Sequence, residues 1–212
     1  MTHSPSEPTH ADIPSTGTST PNPSSISSAQ DQSEKPKFEY TIREGKPENA
    51  PAISKLMIEV FNKSFGHSCT PEELLRYNED VLSPKAIEKD LLNPLCSWLL
   101  AFPSSTLSDE LLGIVQLTKD SFEPCVTLPN PIELQRIYLS YKSHGTGLST
   151  ILMKKAEEKS RELGFKSIWL GAWEDNHRAK KFYEKMGYKT VGDHVFDIGG
   201  SKQRDEIMEK SL

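Results

Sequence analysis

Ile132-Glu133-Leu134-Gln135-Arg136-Ile137-Tyr138-Leu139, followed by the turn His144-Gly145-Thr146-Gly147-Leu148-Ser149, is the stretch on which the reading of this chain depends. The first part is dense in β-branched, aromatic and aliphatic residues and reads as a strand over 132–139. From Leu148 the period changes to helical, and Gly164 ends that helix after Leu163. Leu148, Ile151, Leu152, Ala156 and Leu163 are expected inward. Lys154, Lys155, Glu157, Glu158, Arg161 and Glu162 are expected in water, paired as Lys154–Glu158 and Glu157–Arg161. Ser167–Leu170 is then a second strand, which makes the segment a βαβ unit. Its turn lies where a strand ends and a helix begins, where unpaired N–H groups and the helix dipole favour a phosphate. A Walker A loop is excluded, because Leu148 and not Lys follows Gly147. A dinucleotide fingerprint is weak, because position 150 is Thr and no mononucleotide-binding half precedes the unit. An ordinary βα turn without a ligand stays open on spacing alone.

On the N-terminal side, Phe38–Ile42 alternates as a strand, and a helix from about Pro47 to Ser64 carries Ile53, Leu56, Met57, Val60 and Phe61 on one face. Thr70-Pro71 and Ser83-Pro84 open two short helices, each with an N-cap residue and a proline in the first turn. A hairpin of Ser97–Phe102 and Leu111–Thr118 follows, then a proline-bearing loop over Cys125–Pro131. On the C-terminal side, a helix capped by Asp175 or Asn176 and stopped by Gly187 turns Ala179, Phe182 and Met186 inward. Strands near Tyr188–Phe196 and Arg204–Lys210 close the chain. The division is therefore a Ser/Thr/Pro-rich disordered tail over 1–37, too poor in large apolar side chains to offset chain entropy, and one α/β domain over 38–212.

The formal charge of −5 lacks the basic stripe of a nucleic-acid binder. The longest apolar run, Trp98–Phe102, falls far short of the roughly 20 residues of a membrane helix. Neither nucleic acid nor membrane is therefore expected as a partner. Cys69, Cys96 and Cys125 are odd in number and form no C-x-x-C, which points to a reducing compartment, cytoplasmic or nuclear. His67 and Cys69 have no second pair to complete a metal site, so no metal is expected.

The helix Asn176-x-x-Ala179-x-x-Phe182-Tyr183-Glu184-Lys185-x-Gly187-Tyr188 resembles the N-x-x-A-x-x-F-Y-E-K-x-G-F element of the GNAT superfamily of N-acetyltransferases. The turn at 144–149 occupies the place of that family's diphosphate motif, Q/R-x-x-G-x-G/A. Gly147 stands at its central glycine, with His144 in place of Gln or Arg and Ser149 in place of the last Gly or Ala. Glu133–Tyr138, Trp169–Glu174, Gly192–Phe196 and Asp205–Met208 are similar to stretches of the PaiA-like spermidine/spermine N-acetyltransferases.

The resemblance implies a mixed central sheet of about seven strands with splayed parallel strands four and five and helices on both faces. It implies acetyl-CoA as co-substrate, its pantetheine arm against the backbone of Ile137, Tyr138 and Leu139, with an N–H near Leu139 polarising the thioester carbonyl. His144, Gly145, Thr146, Gly147, Leu148 and Ser149 would hold the diphosphate, and the Asn176 amide would touch the cofactor. Tyr183 would give a proton to the departing thiolate, although Phe182-Tyr183 on spacing alone could be two core aromatics. Glu133, eleven residues before His144, is the candidate base for the amine, the alternative being a strand carboxylate facing solvent or paired with Arg136. His194 either meets substrate or packs, with packing the expectation.

The implied acceptor is a small-molecule primary amine, with a polyamine such as spermidine leading, by direct transfer in a ternary complex. Glu72, Glu73, Glu79 and Asp80 are either counter-charges for it or plain helix-surface residues. Acetylation of a protein, peptide or toxin amine, and a non-catalytic CoA-binding regulatory module, are the other readings. The protein is expected as a monomer or a homodimer.

Overall fold

β4 (Pro131–Leu139) organises the molecule, because its two edges are treated differently. The computed structural model describes residues 38–66, 70–104, 109–198 and 201–212, so the tail over 1–37, His67 and Cys69 lie outside the described residues. Along one edge, β4 pairs antiparallel with β3 (Gly113–Thr118) from Glu133 to Leu139. Along the other, it pairs parallel with β5 (Ser167–Trp173) only over Pro131–Glu133. Beyond Glu133 the ladder to β5 stops, and a crevice opens between the two strands.

A β-bulge sits where the strands part. Gln116 lies opposite Arg136 and Leu117 opposite Leu134, which leaves Gln135 as the extra residue on β4. A bulge breaks the alternation of side chains and bends its strand. Here Gln135 Oε1 accepts from Gln116 Nε2 and from Thr118 Oγ1, both at 2.8 Å. The Arg136 guanidinium donates to Gln116 Oε1 at 2.7 Å and to Asp90 Oδ2 at 2.8 Å. Two successive side chains thus reach the same glutamine.

The sheet is completed by β1 (Tyr40–Glu44), β2 (Cys96–Pro103), β6 (Lys189–Ile198) and β7 (Ser201–Ser211), in the order β1-β2-β3-β4-β5-β7-β6. All neighbours except β4 and β5 are antiparallel. This is the expected seven-stranded mixed sheet. α4 (Leu148–Glu162) and α5 (His177–Lys185) cover one face, where Leu134, Ile137, Leu152, Ile168, Leu170 and Tyr183 share one buried cluster. α1 (Ala50–Phe65) and α3 (Pro84–Leu92) cover the other with Ile53, Met57, Ile87, Trp98, Ile114 and Tyr138. α2 (Pro71–Asp80) buries no residue fully and rests on that second cluster through Leu74 and Tyr77.

Several boundaries move for local reasons. β1 lies two residues later than its apolar alternation suggests, because Tyr40 to Glu44 are the residues in register with β2. The helix expected from Pro47 begins as a 3-10 turn over Pro47–Asn49, in which Asn49 Oδ1 accepts from the Lys46 N–H at 2.9 Å. On α4, Ile151 is exposed, whereas Glu157 is buried and accepts from Lys210 Nζ of β7 at 2.6 Å. The charge run is therefore not wholly a solvated face. The expected i,i+4 pair of Glu157 and Arg161 is present at 3.9 Å, and Glu158 pairs with Lys155 at 2.6 Å, three residues before it. Among the described residues no helix is long and apolar enough to cross a membrane.

Candidate active site

The turn after β4 is built to expose backbone. His144 N–H donates to Tyr141 O at 3.2 Å, and Thr146 Oγ1 donates to Ser143 O at 2.5 Å, which folds the chain back before the helix. Gly145 and Gly147 take φ of 74° and 86°, the left-handed region that glycine tolerates best. A Cβ built at either would meet no atom within 4 Å, so open space lies over both. Gly147 is the N-cap of α4 and supplies no side-chain cap. Uncapped first-turn N–H groups at the positive end of a helix suit an anion. Leu148 is wholly buried, so only its main chain faces the turn. Thr146 and Ser149 are half-buried.

His144 is set among cations. Its ring stands edge-on to Tyr141 at 4.8 Å, and Lys63 Nζ of α1 lies 3.7 Å from the Tyr141 ring centre. Its Nε2 is buried with no hydrogen-bond partner among the described residues. Burial, then the charges of Arg178 and Lys63, push its pKa down from 6.5 to about 4. The fold therefore favours neutral imidazole, while the unfolded chain takes a proton as pH drops below 6.5. The stability that His144 contributes is complete above about pH 6.5 and is lost as pH falls toward 4. His144→Gln is expected to flatten the dependence of melting temperature on pH within that window and to leave it unaltered above pH 7. A melting series from pH 4 to 8 measures this. An unchanged slope would show that His144 is not held neutral.

The crevice wall from β4 presents main chain. The side chains of Ile137 and Leu139 enter the core beneath α4 and α5, and that of Tyr138 enters the opposite core. Tyr183 lies in the same cluster as Ile137, Leu139 and Leu148. It is fully buried, and its hydroxyl has no hydrogen-bond partner among the described residues. Burial, then the charge of Asp205, push its pKa up. The phenol stays protonated across the physiological range. Asn176 is the cap of α5, its Oδ1 accepting from Ala179 N at 3.1 Å, which decides between it and Asp175. α5 turns Ala179 and Tyr183 fully inward, while Phe182 and Met186 pack only partly.

Glu133 does not join that cluster. It is 1% exposed, which removes the solvent-facing alternative, and it lies beside Thr118 and Trp169 at the root of the crevice. Ile132 and Leu134 face α4, so strand alternation sends Glu133 to the opposite side of the sheet. On that side Arg136 Nη1 donates to Asp90 Oδ2 and Gln116 Oε1. His194 is not simply packed, because its Nδ1 meets Glu123 Oε2 at 3.1 Å.

The sequence model of the acetyltransferase (GNAT) family matches residues 55–188. The chain belongs to the GNAT acetyltransferase family. It is 30% identical over 162 residues to an uncharacterized N-acetyltransferase of Lactobacillus delbrueckii subsp. lactis encoded in the pepI 3′ region, spanning 76% of this chain and 91% of that protein. It is 36% identical over 81 residues to an uncharacterized N-acetyltransferase of Mycobacterium tuberculosis, spanning 38% of this chain and 52% of the other. Among solved structures, the fold matches the PaiA N-acetyltransferase of Thermoplasma acidophilum in complex with coenzyme A, with a TM-score of 0.64 and 22% identity over 82% of this chain and all of that one. It also matches the ribosomal-protein-S18-alanine N-acetyltransferase of Escherichia coli, with a TM-score of 0.58 and 13% identity over 82% of this chain and 94% of that one.

As a GNAT acetyltransferase the protein is an enzyme of acyl transfer that uses acetyl-CoA. The residues present suit that cofactor: an uncapped helix start behind open glycines, a strand edge released from its neighbour, and a buried hydroxyl without a partner. Among the described residues no group of three or more His, Cys, Asp and Glu is placed to hold a metal ion. Lys63, Arg178, Gln135 and Asp205 escape the sequence reading. Arg178 lies two residues into the Asn176 helix and Gln135 on β4 itself, its partners on β3, whereas Lys63 and Asp205 arrive from other elements.

Proposed function

We propose that this acetyltransferase moves the acetyl group of acetyl-CoA directly to a primary amine of a small cationic molecule, with a polyamine such as spermidine the leading acceptor. The domain over 38–212 carries the reaction. The observation that bears most weight is the wholly buried, partnerless Tyr183 hydroxyl in the cluster it shares with Ile137 and Leu139, the part of β4 beyond its pairing with β5. The resemblance to PaiA-like enzymes supplies the amine class.

Bound acetyl-CoA supplies an activated acetyl group and a thiolate that can leave. The main-chain amides from His144 to Ser149 hold the diphosphate, with Lys63 and Arg178 adding charge nearby. The backbone of Ile137–Leu139 pairs with the pantetheine amides, and the Leu139 N–H steadies negative charge on the carbonyl oxygen. Asn176 fixes the start of α5 and so the position of Tyr183. Glu133 takes a proton from the acceptor's ammonium, directly or through water, which frees the lone pair that forms the N–C bond. As the C–S bond breaks, the Tyr183 hydroxyl gives its proton to sulfur, and the second proton shed by the nitrogen as the amide forms restores the phenol.

Acetyl-CoA should raise the melting temperature, since ligand at about a hundred times its Kd stabilises the folded state by about 2.7 kcal/mol. A thiol-detecting dye should then report CoA release that depends on added amine, with spermidine among the best of an amine panel. Binding without release on any amine would replace the enzyme reading with a CoA-binding module. Release only with peptide amines would move the acceptor class.

A further inference from the structure

The turn that leads into α4 has little free positive charge of its own. From Ser140 to Thr150 the basic residues are Lys142 and His144. Lys142 is spent on a neighbour, its Nζ meeting Glu110 Oε1 at 2.6 Å. His144 is held neutral, first by burial. A diphosphate carries full negative charges, and the amides of a helix start offer only partial positive ones.

A cation reaches the turn from α1 instead. Ser64 Oγ and the Tyr141 hydroxyl are 3.0 Å apart, a hydrogen bond across 77 positions that pins the end of α1 to the start of the turn. Lys63 lies beside Ser64 in the last turn of that helix. Its Nζ stands 3.7 Å from the Tyr141 ring centre, and the same ring meets His144 edge-on at 4.8 Å. The ammonium is thus held one aromatic ring away from the residue that precedes Gly145. Lys63 is exposed and pairs with no carboxylate among the described residues. The Tyr141 ring covers one side of a group with three donors, so the others are left for a ligand. Open space lies over Gly145 and Gly147, and the first N–H groups of α4 are uncapped by any side chain of Gly147.

We propose that Lys63 binds the diphosphate of acetyl-CoA directly, as the full positive charge that the turn itself lacks. The inference rests on the reading above, which puts the diphosphate on the turn, and deepens it. The diphosphate is then gripped between the start of α4 and the end of α1, two helices on opposite faces of the sheet. Lys63 acts on cofactor binding alone and takes no part in the proton transfers.

The test is titration calorimetry with CoA and with 3′-dephospho-CoA, on wild type, Lys63→Gln, Lys63→Arg and Lys142→Gln. Loss of a charge-assisted contact should raise the Kd of both ligands about tenfold in Lys63→Gln, by the same factor for each. The Kd of that variant should also depend less on salt than that of wild type. Lys63→Arg keeps the charge and should stay within about threefold of wild type. Lys142→Gln removes a cation already paired at the surface and should do the same. Lys63 is exposed at a helix end, so its Gln variant should fold, which its melting temperature checks. An unaltered Kd in Lys63→Gln overturns the inference. So does an equal loss in Lys63→Arg, the mark of a packing role, or in Lys142→Gln, the mark of a diffuse field. A loss seen with CoA and absent with its 3′-dephospho form overturns it too, because Lys63 would then meet a different phosphate. Wild-type protein that gives no heat with either ligand would sink the cofactor reading itself, a result distinct from all of these.

Discussion

Tyr183→Phe should lose kcat by about a hundredfold or more, the range of a positioned proton donor, while the Kd for acetyl-CoA moves by less than about threefold. The hydroxyl is the one atom removed. It is fully buried and meets no partner among the described residues, so its deletion breaks no hydrogen bond in the unliganded protein. Stability should therefore hold or rise slightly, since a buried polar group without a partner costs about 1–3 kcal/mol. A core aromatic would behave in the opposite way: kcat unaffected, with any change confined to melting temperature.

The raised pKa of Tyr183 bears on how the proton moves. A phenol whose acidity is suppressed by burial and by Asp205 does not give up its proton readily to a thiolate in water. The leaving sulfur, however, develops its charge in the same dry surroundings, which raise its basicity too. On the proposed route, hydrogen bonding to sulfur comes first, and transfer completes as the C–S bond breaks. The rate should accordingly show no alkaline limb attributable to Tyr183 below about pH 10. Steady-state kinetics against pH, with calorimetry for the cofactor, decide the matter. Full activity of the Phe variant would remove Tyr183 from the reaction.

What could be read from the sequence was what is local. The β4–turn–α4–β5 unit announces itself through a change of period and two glycines, and the Asn176 cap lies next to the helix it starts. The bulge was invisible because the two partners of Gln135, Gln116 and Thr118, sit on another strand, and alternation says nothing about one extra residue. Glu157 looked solvated because its partner Lys210 belongs to the last strand. His144 looked like a plain loss of charge relative to Arg. In the fold, burial first and then the charges of Arg178 on α5 and Lys63 on α1 hold the ring neutral, so charge missing from the turn returns from elsewhere. The architecture of the candidate site is legible where one segment carries it, and hidden where sheet order alone brings residues together.

Glu133→Gln should cut kcat/KM for an alkylamine by about a hundredfold near pH 7, and the deficit should shrink as pH rises. An amine of pKa about 10 is neutral in about a thousandth of its molecules at pH 7, and that fraction grows tenfold with each pH unit up to about 10. With a base in place, the enzyme can bind the abundant ammonium and deprotonate it on site, so kcat/KM stays level over that span. Without one, only the scarce free amine reacts, and log kcat/KM should climb with a slope near one. Glutamine keeps the shape and most hydrogen-bonding capacity of a side chain that is 1% exposed at the root of the crevice, so folding should survive. Two parallel profiles offset by a constant would mean that Glu133 only braces β4 against Thr118 and Trp169, its neighbours on β3 and β5. Converging profiles, meeting as the amine loses its own proton, are what a base would produce, because at that pH its task has already been done by the solvent.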